Sequence, residues 1–318
     1  MGQDFPRGVL EWERKETSPR SAETEIIVHK ITFFAFTVLG GLSILLPPAK
    51  AQATGLPERV TFLSADGRTT LVGYLYRPLP SGAQAPAIVM MHGRSGAYSS
   101  KAGGIYDAST LSKRHKAWGE LLAQQGYFAL MVDGFGPRGY PHGFARYTYN
   151  ERPEQLNEVT VRPLDAYGAA AYLRTLPGVA GERLGLLGWS NGGSATLAAL
   201  SPDALGLSSP ASRSGFRAAV AFYPACGLKG AFKGKVYRPD APLRIFHGLA
   251  DEETSPGRCA RLVERSKAAG GDIEIALYPG ATHDFDDPGA KRQSIEANAA
   301  AAAQATAEAL QFFRDHLD

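Results

Sequence analysis

From about residue 59 onward the chain alternates short, continuously apolar runs with longer amphipathic stretches, and few architectures accommodate that alternation. Residues 87–91 (Ala-Ile-Val-Met-Met) carry no polar side chain on either face, as a strand buried on both sides requires. Residues 128–132, 184–187, 218–222, 243–246 and 273–278 read the same way. Between them lie helical patterns at 113–125, 163–176, 191–200 and 257–269, followed by an Ala-rich helix over 295–316. Strand and helix repeated in this way predict an α/β fold, a mostly parallel sheet flanked by helices and closed by right-handed crossovers. Residues 60–65 and 71–77, joined by Asp66-Gly67-Arg68, read as an antiparallel pair for one edge of that sheet. About eight strands fit, and no repeat or long linker divides residues 54–318, so a single domain is expected there.

The first fifty residues differ in character. Residues 1–28 are polar and mixed in charge, then His29-Lys30 precede the apolar run 31–46 and the segment Pro47-Pro48-Ala49-Lys50-Ala51. A basic flank, a short apolar stretch and a small-x-small end are the parts of a secretory signal. The expectation is an N-terminal extension and signal over 1–51, cleaved on export to a periplasmic or secreted form with no further membrane contact. An uncleaved N-terminal anchor is the alternative. The formal charge of +3 is small and evenly spread, with no basic run interleaved with aromatics, so nucleic acid is not an expected partner. Two cysteines, Cys226 and Cys259, are too few for a four-cysteine zinc site. In an exported chain they permit one disulfide. Cys226 follows the strand at 218–222 and Cys259 opens the helix after the strand at 243–246, so consecutive strand ends should bring them within bridging distance.

The strongest local signal is Gly188-Trp189-Ser190-Asn191-Gly192-Gly193, placed between the strand at 184–187 and a helical stretch. A serine hydroxyl must be lifted clear of the sheet to attack, and a sharp strand-to-helix turn lifts it only if glycines remove the side chains that would clash. A helix N-terminus behind Ser190 also favours developing negative charge. Among seven histidines, His283 follows the last strand through Pro279-Gly280-Ala281-Thr282 and is the candidate base. His247 ends a strand but leaves no base downstream of the acid, and His142 lies in a long loop. Asp251 comes just past the strand at 243–246, on the rim where parallel strands end together; Glu252 and Glu253 are its rivals. The order Ser190, Asp251, His283 is that of α/β-hydrolases. Backbone N–H groups of Asn191 and of Arg94, in His92-Gly93-Arg94-Ser95-Gly96, are the candidate oxyanion hole.

These segments, with Asp133-Gly134-Phe135-Gly136-Pro137-Arg138-Gly139, Phe222-Tyr223-Pro224-Ala225-Cys226 and His283-Asp284-Phe285, resemble the dienelactone hydrolase family across residues 91–285. The resemblance implies the α/β-hydrolase fold, no metal or organic cofactor, and a small-molecule ester or lactone as substrate. Founding members use a cysteine nucleophile where this chain has Ser190, which favours ordinary esters over dienelactone. Arg138 is either a partner for a substrate carboxylate or a pin for its own loop, and Trp189 is a candidate substrate contact. Residues 134–161 form a long connection whose rings (Phe135, Tyr140, Phe144, Tyr147, Tyr149) either cover the site or pack the loop onto the body. A serine peptidase of the same fold and a non-catalytic binding protein are the rival functions. The oligomeric state is not legible.

Overall fold

The computed structural model describes residues 55–80, 83–206 and 214–318. The expected export segment at 1–51 lies outside the described residues. In chain order the elements are β1 (Glu58–Leu63), β2 (Thr70–Tyr76), β3 (Ala85–Met91), α1 (Lys113–Gln124), β4 (Phe128–Asp133), α2 (Arg162–Thr175), β5 (Val179–Trp189), α3 (Asn191–Ala199) and α4 (Pro202–Leu205). There follow β6 (Ala218–Phe222), β7 (Leu243–Gly248), α5 (Pro256–Ala268), β8 (Ile273–Tyr278), α6 (Ala290–Gln293) and α7 (Glu296–Leu317), with short 3-10 turns in the loops.

The eight strands form one sheet in the order β1-β2-β4-β3-β5-β6-β7-β8. β1 pairs antiparallel with β2, and β2 antiparallel with β4, so the leading hairpin closes one edge of an otherwise parallel sheet. Its turn is set by Asp66, whose Oδ1 accepts the N–H groups of Arg68 and Thr69, both at 2.8 Å. In the middle strands the apolar runs are buried on both faces. Val89 and Met91 of β3 pack with α2 and α3 side chains, whereas Ile88 and Met90 face the layer of α1 and α7. Alternate side chains of a strand point to opposite faces, so an unbroken apolar run is what two helical layers demand.

The helices start where their caps place them. Ser112 accepts the His115 N–H before α1, and Ser255, followed by Pro256, accepts the Arg258 N–H before α5. α7 lays Ala301, Ala305, Ala309, Phe313 and Leu317 on the sheet, a stripe of five at i, i+4 spacing whose small members permit close approach. One expectation is corrected: β8 is the far edge strand, paired only with β7, and Glu274 and Leu277 are exposed on it. It has one sheet neighbour and solvent beyond, which is why it tolerates a glutamate in an apolar run. The C-terminal ends of β3, β5, β6, β7 and β8 share one rim, where open α/β sheets hold their ligands.

Candidate functional site

Ser190 stands between β5 and α3 at φ 52°, ψ −113°, a left-handed backbone that a residue with a side chain adopts only under constraint. The constraint is close packing. A Cβ at Gly192 would overlap the carbonyl oxygens of Met91 and His92, so α3 can begin against the end of β3 only because this residue is glycine. The Ser190 N–H is held by the Phe222 carbonyl at 2.9 Å, and its carbonyl accepts the Ser194 N–H at 2.8 Å.

His283 Nε2 lies 3.0 Å from Ser190 Oγ, and its Nδ1 lies 2.8 Å from Asp251 Oδ2. Two loops are tied together to achieve this. Leu249 and Ala250, just after β7, donate their N–H groups to the carbonyls of Tyr278 and Ala281 after β8, each at 2.9 Å. The rivals of Asp251 have other partners. Glu252 accepts the backbone N–H of His283 at 2.9 Å, and Glu253 pairs with Arg94 and Arg146 while its Oε2 stands 3.9 Å from His283 Nε2. Asp251 is saturated with donors: Glu253 N and Thr254 N on Oδ1, and Thr254 Oγ1, His283 and His247 on Oδ2. Burial works against its charge, but the bonds from His247 and His283 outweigh it and hold the carboxyl far below the usual carboxylate range. For His283, burial works against protonation. Its bond to Asp251 and the charges of Asp284, Asp251 and Glu253 prevail and raise its pKa above the ordinary histidine value. The ring rests against Tyr223, centroids 4.6 Å apart.

The Arg94 side chain is clamped by Glu253 at 2.8 and 2.9 Å and by the Phe144 carbonyl at 3.0 Å, which fixes the loop after β3 beside Ser190. Gly93 lets that loop approach: a Cβ there would stand 3.3 Å from the Trp189 carbonyl oxygen and 3.5 Å from Ser190 Cβ. Asn191 is the first residue of α3, where a backbone N–H has no intrahelical acceptor.

Of the two possible substrate contacts, Arg138 takes the loop-pinning alternative and Trp189 turns away from the site. Arg138 grips both oxygens of Asp165 at 2.8 Å, and its Nη1 also donates to its own loop's Gly134 carbonyl, so it pins the loop after β4. Trp189 follows the strand alternation away from Ser190, is fully buried, and donates its Nε1–H to Asp286 at 2.8 Å. Neither lines the space beside Ser190. That space consists of two cavities, one of about 560 Å³ with Tyr147, Tyr149 and Asn191 in its wall, the other of about 380 Å³ with His283 and Arg114 in its wall. Ser190 and Arg94 border both. The long aromatic loop thus does both of the things expected of it. Phe135, Tyr140 and Phe144 stack to hold the loop down, while Tyr147 and Tyr149 face the larger cavity.

Cys226 and Cys259 are joined as a disulfide, Cα atoms 5.0 Å apart, at the edge of the larger cavity. Among the described residues, Glu253, His283 and Asp284 are the one group of three whose ligand atoms lie within 4.8 Å of one another. Their charges are already spoken for: Glu253 by Arg94 and Arg146, Asp284 by Arg114 at 3.0 Å, and His283 by Ser190 and Asp251. Sequence reasoning missed His247 as a second histidine on Asp251, although its placement four residues upstream was visible. It also passed over the buried Arg162, which donates to the His92 carbonyl and to Asn191 Oδ1 and whose position at a helix start carries no signal.

The sheet order, the elbow at Ser190 and the rim of loops define an α/β-hydrolase. The dienelactone hydrolase family matches residues 71–317, and the chain belongs to that family, as a hydrolase. Its fold is similar to that of a dienelactone hydrolase-like promiscuous phosphotriesterase from metagenomic libraries (18% identity, TM-score 0.59, covering 82% of this chain and 98% of that one). It is also similar to a thermophilic esterase from Thermogutta terrifontis solved with propionate bound (22% identity, TM-score 0.53, covering 80% and 94%). The Thermogutta terrifontis esterase has also been solved phosphorylated by paraoxon (20% identity, TM-score 0.52, covering 76% and 91%).

Proposed function

We propose that the chain hydrolyses carboxylic esters or lactones through an acyl-enzyme on Ser190, with His283 as base and Asp251 as its orienting acid. The observation that carries this reading is the relay from Ser190 Oγ through His283 to Asp251, with contacts of 3.0 and 2.8 Å. His283 Nε2 takes the hydroxyl proton as Ser190 Oγ attacks the carbonyl carbon, and Asp251 stabilises the imidazolium that forms. Backbone N–H groups of Arg94 and Asn191 receive the oxyanion. The imidazolium then protonates the leaving alkoxide, and a water activated by the same nitrogen releases the acid. For a lactone the alkoxide stays attached to the acyl chain, and the product is one hydroxy acid. The two cavities either side of Ser190 offer separate room for the acyl and alcohol parts.

The test is a panel of short esters, aromatic esters, lactones and aminoacyl peptides, each assayed with the wild type and with Ser190→Ala. Turnover of esters or lactones that disappears in the variant is expected. Peptide hydrolysis without ester hydrolysis would make the chain a peptidase instead, and no turnover of any kind would leave a binding protein.

A further inference from the structure

Arg162 is a fully buried cation that carboxylates compensate only at a distance. Its side chain is fully enclosed at the start of α2, and among the described residues no carboxylate oxygen lies within ion-pair distance of it. The carboxylate that acts on it most strongly, Asp165, is taken bidentately by Arg138. One face of the guanidinium lies over the Phe135 ring at 5.0 Å. Burial accordingly pulls its pKa down to about 10, with Asp165 opposing that effect only in part.

Its two hydrogen bonds go to the two segments that meet at the nucleophile. Nη1 donates to the His92 carbonyl at 2.8 Å and to Asn191 Oδ1 at 2.6 Å. One partner ends in the loop carrying the Arg94 N–H and the other carries the Asn191 N–H. These segments also approach each other at Gly192, which has no side chain to interlock them. A guanidinium fixes two acceptors in one plane, which a lysine ammonium does not.

We propose that Arg162 is a positioning residue of the oxyanion hole, clamping the loop after β3 to the start of α3 so that the two backbone donors keep one separation. This rests on the reading of Ser190 as nucleophile. The charge it brings lies behind the same two donors, in a buried setting where it favours negative charge on the substrate oxygen.

The test separates binding of the tetrahedral state from binding of the ester. A boronic acid accepts the Ser190 oxygen on boron, the hydroxyl proton passes to His283, and the resulting tetrahedral boronate carries the negative charge that the oxyanion hole receives. For Arg162→Lys, kcat and boronate affinity should each fall about 10- to 100-fold while KM stays within about twofold. Arg162→Met, which also loses the charge, should fall further than Arg162→Lys. Asn191→Ala removes one anchor, leaves Arg162 in place and keeps the backbone donor; it should show the same split, and should add little to Arg162→Lys in the double variant. A folded Arg162→Lys protein with wild-type kcat, or one whose kcat falls with boronate affinity unchanged, overturns the clamp. If the Arg162 variants do not fold, wild-type kcat and boronate affinity in Asn191→Ala overturn it. Fluorophosphonate labelling of the wild type reads the nucleophile separately: no adduct at Ser190 means the functional reading has failed, whatever the Arg162 variants do.

Discussion

Ser190 and His283 sit 3.0 Å apart although 93 positions separate them in the chain, and the pair makes opposite demands on pH. The base must be neutral to accept the hydroxyl proton, so activity falls as pH drops through the His283 pKa. Because the Asp251 bond and three carboxylates raise that pKa, the acid limb of kcat/KM should have its midpoint above about 6.5, the ordinary histidine value. Glu253→Gln removes one of the charges that favour the imidazolium and should move the limb to lower pH. A pH–rate profile of both proteins checks this, and an unmoved limb would count against His283 as base. Ser190→Ala should lose about three or more orders of magnitude in kcat while its thermal midpoint changes little, since only one hydroxyl leaves. A chelator is expected to leave the rate unchanged, because each group near His283 that could ligate a metal is already paired.

At the scale of elements, the disulfide ties the loop after β6 to α5 and encloses Asp251 between its ends. Closing a segment of 33 positions contributes roughly 3–4 kcal/mol through the entropy of the unfolded chain. Replacing both cysteines by alanine should lower the midpoint of denaturant unfolding by a matching amount. Mass spectrometry of the unreduced wild type should find neither thiol open to alkylation after denaturation; two modified thiols would show that the bridge is absent. Gly192→Ala should be among the most damaging small substitutions. Its Cβ meets backbone oxygens of Met91 and His92 that cannot rotate away, and overpacking of this kind costs about 1–3 kcal/mol or more. Circular dichroism melts of that variant measure the loss.

Across the whole molecule, what could be read from the chain is what periodicity and local order carry. The sheet's central strands announce themselves because burial on both faces leaves no polar residue in β3 or β6, and only the terminal Asp133 in β4. The turn at Ser190 reads because glycine, serine and glycine between strand and helix have few other uses, and the closeness of Asp251 and His283 to it reads because each follows a strand end. β8 misled because its position at an edge is a property of sheet order, not of its own six residues. Arg162 and the burial of Trp189 were illegible for a related reason, whereas loop pinning was one of the two readings open for Arg138 and the spacing of His247 from Asp251 was visible. The meaning of Arg162 and Trp189 lies in partners such as His92, 70 positions away from Arg162, or Asp286, 97 away from Trp189, which no local pattern reveals. Export of the chain is proposed from residues 1–51, and N-terminal sequencing of the form released by a secreting host should read from near Gln52 or Thr54; full-length chain in the membrane fraction would favour the anchor.

The central claim is that Ser190 carries the acyl group. Incubating the wild type and Ser190→Ala with a fluorophosphonate, digesting both and sequencing the modified peptide by mass spectrometry tests it most directly. A single adduct on Ser190 is expected in the wild type and none in the variant. An unmodified Ser190, or an adduct of equal yield in the variant, would contradict it.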